Sequence, residues 1–245
     1  MRSDGGSDAR TAEATKPEPI AVPCLEARDV RKSFLAGGRQ VEVLKGIEMS
    51  VESGRLTMLR GRSGSGKTTL LNLLGGLDRP TEGEVVFRER SLSRWSDRQL
   101  TVVRRKEIGF IFQSFALLPL LTVQENVALS LRMAKLPRSE WPGRTAECLE
   151  LVGLAKRSGH RPSELSGGEQ QRAAIAKAIA HKPRVLLADE PTAELDSVMA
   201  ARIIALFRDI ADREGMAICM TTHDSTLWGA ADVVYQMVDG RIVPD

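Results

Sequence analysis

The apolar positions of this chain come in short runs separated by glycine-rich and polar segments, and the runs follow two different periods. Leu56-Thr57-Met58-Leu59, Ile108-Gly109-Phe110-Ile111-Phe112, Val185-Leu186-Leu187-Ala188 and the segment 217–221 are nearly continuous, as strands buried on both faces are. Between them the period lengthens to that of helices. Helices are expected over 67–74, stopped by Gly75-Gly76, and from Thr122, which forms a capping box with Glu125, to about 134. Others are expected over 139–152, over 168–182 before Pro183, and over 197–214, ended by Gly215. Strand and helix in alternation predict a mainly parallel sheet in an α/β fold. Nearer the N-terminus, 25–32 and 41–51 read as strands turned by Gly37-Gly38, with Phe34 in the connection, and 83–87 reads as another. Residues 1–22 hold almost nothing to bury and read as a disordered tail.

Charge and composition change this picture little. Arg88, Arg90, Arg94, Arg98, Arg104, Arg105 and Lys106 form a basic stretch, but Glu89, Asp97 and Glu107 are interleaved with them. Nucleic-acid or anionic-lipid binding fits such a stretch, as does a solvated surface with offsetting charges; the interleaving favours the surface. The 245 residues, 42% hydrophobic with net charge +3, suffice for one domain with a large core. No apolar run approaches the ~20 residues needed to span a bilayer. No hydrophobic segment opens the chain, so export by a signal peptide is not expected. Cys24, Cys148 and Cys219 are far apart and form no C-x-x-C pair, which favours reduced thiols over disulfides or a metal site.

The chemistry concentrates at Gly61-Arg62-Ser63-Gly64-Ser65-Gly66-Lys67-Thr68, which satisfies G-x-x-x-x-G-K-[ST] at every fixed position. The glycines let successive N–H groups turn inward onto phosphate oxygens. Lys67 supplies a mobile cation for the β- and γ-phosphates, and the Thr68 hydroxyl can ligate Mg²⁺. A strand precedes the loop and a helix follows it, starting with Lys67, Thr68 and Thr69, so the helix dipole faces the phosphates. A nucleoside triphosphate is the expected ligand. Val185-Leu186-Leu187-Ala188-Asp189-Glu190 sets two carboxylates at the carboxyl end of a buried strand, where α/β folds bind ligands. Beside a phosphate loop, Asp189 suits Mg²⁺ and Glu190 suits the proton of an attacking water.

Leu165-Ser166-Gly167-Gly168-Glu169-Gln170-Gln171-Arg172 contains a second capping box, Ser166 with Glu169, and its glycines allow close backbone approach to an anion. This segment resembles the signature motif of the ATP-binding-cassette (ABC) ATPases. In the expected order the chain also has residues similar to that family's remaining motifs. Gln113 matches the Q-loop glutamine, Ala193-Glu194-Leu195-Asp196 the D-loop, and Thr222-His223-Asp224 the switch histidine. Phe34 resembles the aromatic residue that stacks on adenine; an ordinary core phenylalanine is the competing reading. Glu194 departs from the family's common Ser-Ala-Leu-Asp, while Asp196 is retained. Arg79-Pro80-Thr81-Glu82-Gly83 and the run from Ile111 to Pro119 are similar to the branch of lipoprotein-release and macrolide-export ATPases.

The resemblance covers about 25–243 and implies a P-loop NTPase core over 23–245, with an N-terminal antiparallel β portion and a helical subdomain over about 113–172. It implies a head-to-tail dimer with ATP between the P-loop of one copy and Ser166-Gly167-Gly168 of the other, and Asp196 at the same interface. It further implies Mg²⁺ held by Thr68, Gln113 and Asp189, with Glu190, His223 and Gln113 acting in hydrolysis. The partner implied is a membrane-spanning permease subunit, which places this chain in the cytoplasm on the inner face of the membrane; nucleic acid is not expected. The segment 114–121, apolar around Pro119, is the expected docking surface for that partner. Driving a non-transport envelope process, or serving as a regulatory nucleotide-binding module, are the alternatives.

Overall fold

The strands of the main sheet are apolar on both faces, and this dictates a layer on each side. In β7 (Val185–Ala188), Leu186 and Ala188 enter one core while Val185 and Leu187 enter the other. β8 (Ala217–Thr222) divides in the same way, Ile218 and Met220 against Ala217 and Cys219. The computed structural model describes residues 23–244, so the tail expected over 1–22 lies outside them. Its six-stranded sheet runs, in spatial order, β10 (Arg241–Val243), β9 (Val233–Val238), β3 (Leu56–Arg60), β8, β7 and β6 (Ile108–Ile111). All neighbours are parallel except β10 with β9.

One face is covered by α3 (Val123–Met133), α4 (Trp141–Leu151), α5 (Gly167–Ile179) and α6 (Ser197–Glu214). The other is covered by α1 (Lys67–Leu74) and a four-stranded antiparallel sheet. That sheet runs β2 (Arg39–Glu52), β1 (Pro23–Ala36), β4 (Glu82–Phe87) and β5 (Arg90–Ser91). The α/β core, the antiparallel portion and the helical elements after Gln113 thus correspond to the fold class expected. Both capping boxes form: Thr122 and Glu125 open α3, and Ser166 and Glu169 open α5. Among the described residues no helix is long and apolar enough to cross a membrane.

Several boundaries differ from expectation. Phe34 lies inside β1, opposite Val41, and not in a connection, because the ladder continues to Ala36 and Arg39. α4 begins at Trp141, after a 3-10 turn at Arg138–Glu140, and α5 ends at Ile179. The basic stretch contains an unexpected helix, α2 (Asp97–Lys106), capped by Ser96 and Gln99 and burying Leu100 against the core. β9 and β10 were likewise not expected. All three cysteines are buried and free, and burial pushes the Cys148 thiol up to about 11 and the Cys219 thiol to about 12.

Candidate active site

The loop between β3 and α1 ends in Gly66, which serves as N-cap in the left-handed region (φ 103°) and provides no side-chain cap. A Cβ there would stand 2.9 Å from the Leu44 side chain, so glycine is required on two counts. The first turn of α1 contains no acidic residue either. Its amide N–H groups and dipole are therefore left for an external anion. Lys67 is almost buried, and its amine donates to the carbonyls of Gly61 (2.8 Å) and Arg62 (3.1 Å), folding back over the loop.

The carboxylates at the end of β7 are tied to this loop through two threonines. Asp189 Oδ2 accepts the Thr68 hydroxyl at 2.7 Å, and its Oδ1 accepts the Thr221 hydroxyl at 2.7 Å. Thr221 Oγ1 in turn accepts the Glu190 N–H at 2.8 Å. That bond holds Glu190 at a positive φ of 48°, a conformation disfavoured for a side-chain-bearing residue and persistent only where neighbours enforce it. The turn aims the Glu190 carboxylate at His223, whose Nδ1 lies 3.4 Å from Oε2. Ser63, Gly64, Gly66, Lys67, Thr68, Thr69, Gln113, Asp189, Glu190 and His223 together line one cavity of about 530 Å³. Gly61, Arg62 and Ser65 face a neighbouring cavity of about 720 Å³, which shares His223 with the first.

Other expected site residues lie apart. Phe34 is 42% exposed, which excludes a core role; it does not line either cavity, and the Lys32 amine sits 4.9 Å over its ring. Val43, farther along the ribbon opposite Phe34, does reach the cavity. Ser166, Gly167 and Gly168 open α5 outside both cavities, beside the 193–196 segment: a Cβ on Gly168 would meet Leu195 at 3.2 Å. The Glu169 carboxylate accepts the Ser166 N–H (2.9 Å) and hydroxyl (3.0 Å), and these bonds hold its pKa below the usual value. Asp196 caps α6, accepting the Met199 N–H at 2.9 Å.

Sequence reasoning missed Thr221, Val43 and a pair at the second cavity, where the Arg60 guanidinium lies 4.3 Å over the Trp228 ring and donates to Gln236. Only Thr221 left a trace, as a polar residue closing an apolar run.

A family model described as ABC transporter matches residues 44–193. A Thermotoga maritima protein described as an uncharacterized ABC transporter ATP-binding protein is 45% identical over 89% of this chain and 93% of its own length. The lipoprotein-releasing system ATP-binding protein LolD of Syntrophotalea carbinolica is 42% identical over 89% of this chain and 96% of its own. The macrolide export ATP-binding/permease protein MacB of Rhodopirellula baltica is 44% identical over 90% of this chain, but this chain spans only 33% of it. Among solved structures, a dimeric ATP-binding cassette in a post-hydrolysis state with ADP and Pi superposes with a TM-score of 0.86 and 37% identity, covering 90% of this chain and 97% of that one.

Proposed function

This chain belongs to the ABC transporter family and is an ATP-binding-cassette ATPase, and we propose that it drives a separate membrane-spanning permease of lipoprotein-release or macrolide-export type. The similarity to LolD and MacB supports the permease type, and the observation that carries the hydrolytic part of this reading is the bonded chain Thr68–Asp189–Thr221–Glu190, ending at His223 beside the phosphate loop. It joins a phosphate cradle to a base, as hydrolysis of a nucleoside triphosphate requires.

In this reading the α1 N-terminus and Lys67 bind the phosphates, Lys67 exchanging its two loop carbonyls for phosphate oxygens. Thr68 and Asp189, a hydroxyl and a carboxylate already 2.7 Å apart, are hard oxygen donors that suit Mg²⁺, with Gln113 on the same cavity wall. When bound, the ion would neutralise charge on the phosphate oxygens. Thr221 orients both Asp189 and the Glu190 backbone. Glu190 accepts the proton of the attacking water, and His223, at the mouth of the cavity, orients that water and the terminal phosphate. Phe34, exposed on the ribbon that reaches the cavity at Val43, would offer adenine the ring face away from Lys32.

Ser166, Gly167, Gly168 and Asp196 lie outside the cavity, which supports their acting on the ATP of a second copy in a head-to-tail dimer. The solved cassette described as dimeric supports pairing of two copies. The permease would seat beside Gln113, where Leu118 is 46% and Leu120 81% exposed, placing this chain on the cytoplasmic side of the membrane. Glu190→Gln tests the reading. It should retain ATP binding, lose about 10² to 10⁴ in turnover, and elute as a dimer on sizing chromatography only when ATP is present. Elution as a monomer under both conditions would overturn the dimer.

A further inference from the structure

The loop that carries Gln113 onward is strained at its middle. Phe115 and Ala116 both adopt positive φ, 60° and 51°, which side chains disfavour and which persists only where the surroundings enforce it. Two polar side chains from the helical elements do so. Asn126 of α3 is fully buried: its Oδ1 accepts the Leu118 N–H at 2.8 Å, and its Nδ2 donates to the carbonyls of Leu118, Leu121 and Thr122. That pins the far end of the loop. The strained middle is held from α5 by Lys177, whose amine donates to the Ala116 carbonyl.

Lys177 is out of place by composition. Every other residue over 173–180 is buried and apolar, and no carboxylate pairs with Lys177 among the described residues. Burial lowers its pKa from the usual lysine value. A cation drawn partly out of water without a counter-ion is costly, so its one bond to a backbone carbonyl has to matter. The adjoining bonds show what that carbonyl controls. Phe115 N–H donates to the Phe112 carbonyl at 3.1 Å, closing a turn around Gln113, and Ala116 N–H donates to Ser114 at 2.6 Å. The Ala116 carbonyl follows directly on these two bonds, so the Lys177 bond anchors the C-terminal end of the turn in which Gln113 stands.

We infer that Lys177 is a positioning residue for Gln113, holding the turn that carries it toward the terminal phosphate from the same helix that Ser166 caps. The inference rests on the reading that Gln113 works beside the terminal phosphate. It adds a direct mechanical link: a shift of α5 on engaging a second copy would be felt at Gln113 through one hydrogen bond.

Lys177→Met keeps the length and removes the charge. It should lower kcat about tenfold, the loss expected for one hydrogen bond to a charged group, with KM and the Kd for ADP within about twofold, since ADP has no terminal phosphate. Its melting temperature should hold or rise, and Lys177→Arg should recover most of kcat. If Lys177→Met fails to fold, Lys177→Gln, a shorter neutral donor, should show the same split between kcat and ADP affinity. Wild-type kcat in the folded neutral variant, or ADP affinity falling in step with kcat, overturns the proposal. Gln113→Ala is the control. If it lowers kcat while Lys177→Met does not, Lys177 alone is misassigned; if it leaves kcat unchanged, the reading of Gln113 falls and this proposal with it.

Discussion

The two glycine-preceded or glycine-started helices of this protein, α1 and α5, offer anion sites of opposite readiness. At α1 the cap is a bare glycine, the first turn is free of acid, and the group covering the loop is the cation of Lys67. At α5 the cap is a serine whose hydroxyl is already given to Glu169, and a carboxylate sits in the first turn. A helix N-terminus attracts anions through free N–H groups and its dipole, and an acidic residue in the first turn answers both from within. The first site is therefore poised to take phosphate unaided. The second is partly answered by Glu169 and lies outside the cavity. The two helix starts among the described residues thus differ in how strongly each would attract an anion, and the proposed head-to-tail pairing would join one of each kind.

The largest break in this asymmetry is Lys67→Ala, which should weaken ATP binding about 100-fold through loss of charge-assisted bonds to phosphate. Equilibrium binding of a fluorescent ATP analogue reports it; an affinity unchanged within threefold would mean that the α1 amides alone hold the phosphates.

Phe34→Ala probes the other end of the nucleotide and should weaken ATP binding by about 1 to 3 kcal/mol if the ring stacks on adenine. Inorganic triphosphate, which has no base, should bind as before. Equal losses for both ligands would assign Phe34 to the ribbon's own structure.

The smallest effect expected is at the start of α5. Glu169→Gln keeps the capping geometry but removes the negative charge, so ATP-driven dimerisation of the Glu190→Gln protein should tighten by about two- to fivefold. Sedimentation velocity across a concentration series measures this. Weaker dimerisation would show that the Glu169 charge organises the segment and does not oppose the incoming phosphate.

Much of this molecule was legible in its sequence, and the legible parts are those set by neighbours along the chain. The loop at 61–68, the capping boxes of α3 and α5, the Gly215 stop at φ 64° and the apolar run before Asp189 are each decided within a few residues. Phe34 was legible as a candidate but not as a strand residue, because its strand pairing depends on a ladder with residues beyond the turn.

Tertiary structure alone decided the rest. β9 is apolar and β-branched enough to read as a strand, but its place between β3 and β10 comes from pairing with segments on both sides of it. α2 carries a local start signal in Ser96 and Gln99, but it buries only Leu100, and its docking on the core is tertiary. Thr221 matters because β8 lies beside β7, which puts its hydroxyl between Asp189 and the Glu190 amide. Lys177 matters because α5 passes the Gln113 loop, although 61 residues separate it from Ala116. Local rules specify which residues start helices, bind phosphate or end strands. Which hydroxyl meets which carboxylate, and which amine a strained turn leans on, depends on segments that meet only when the core closes.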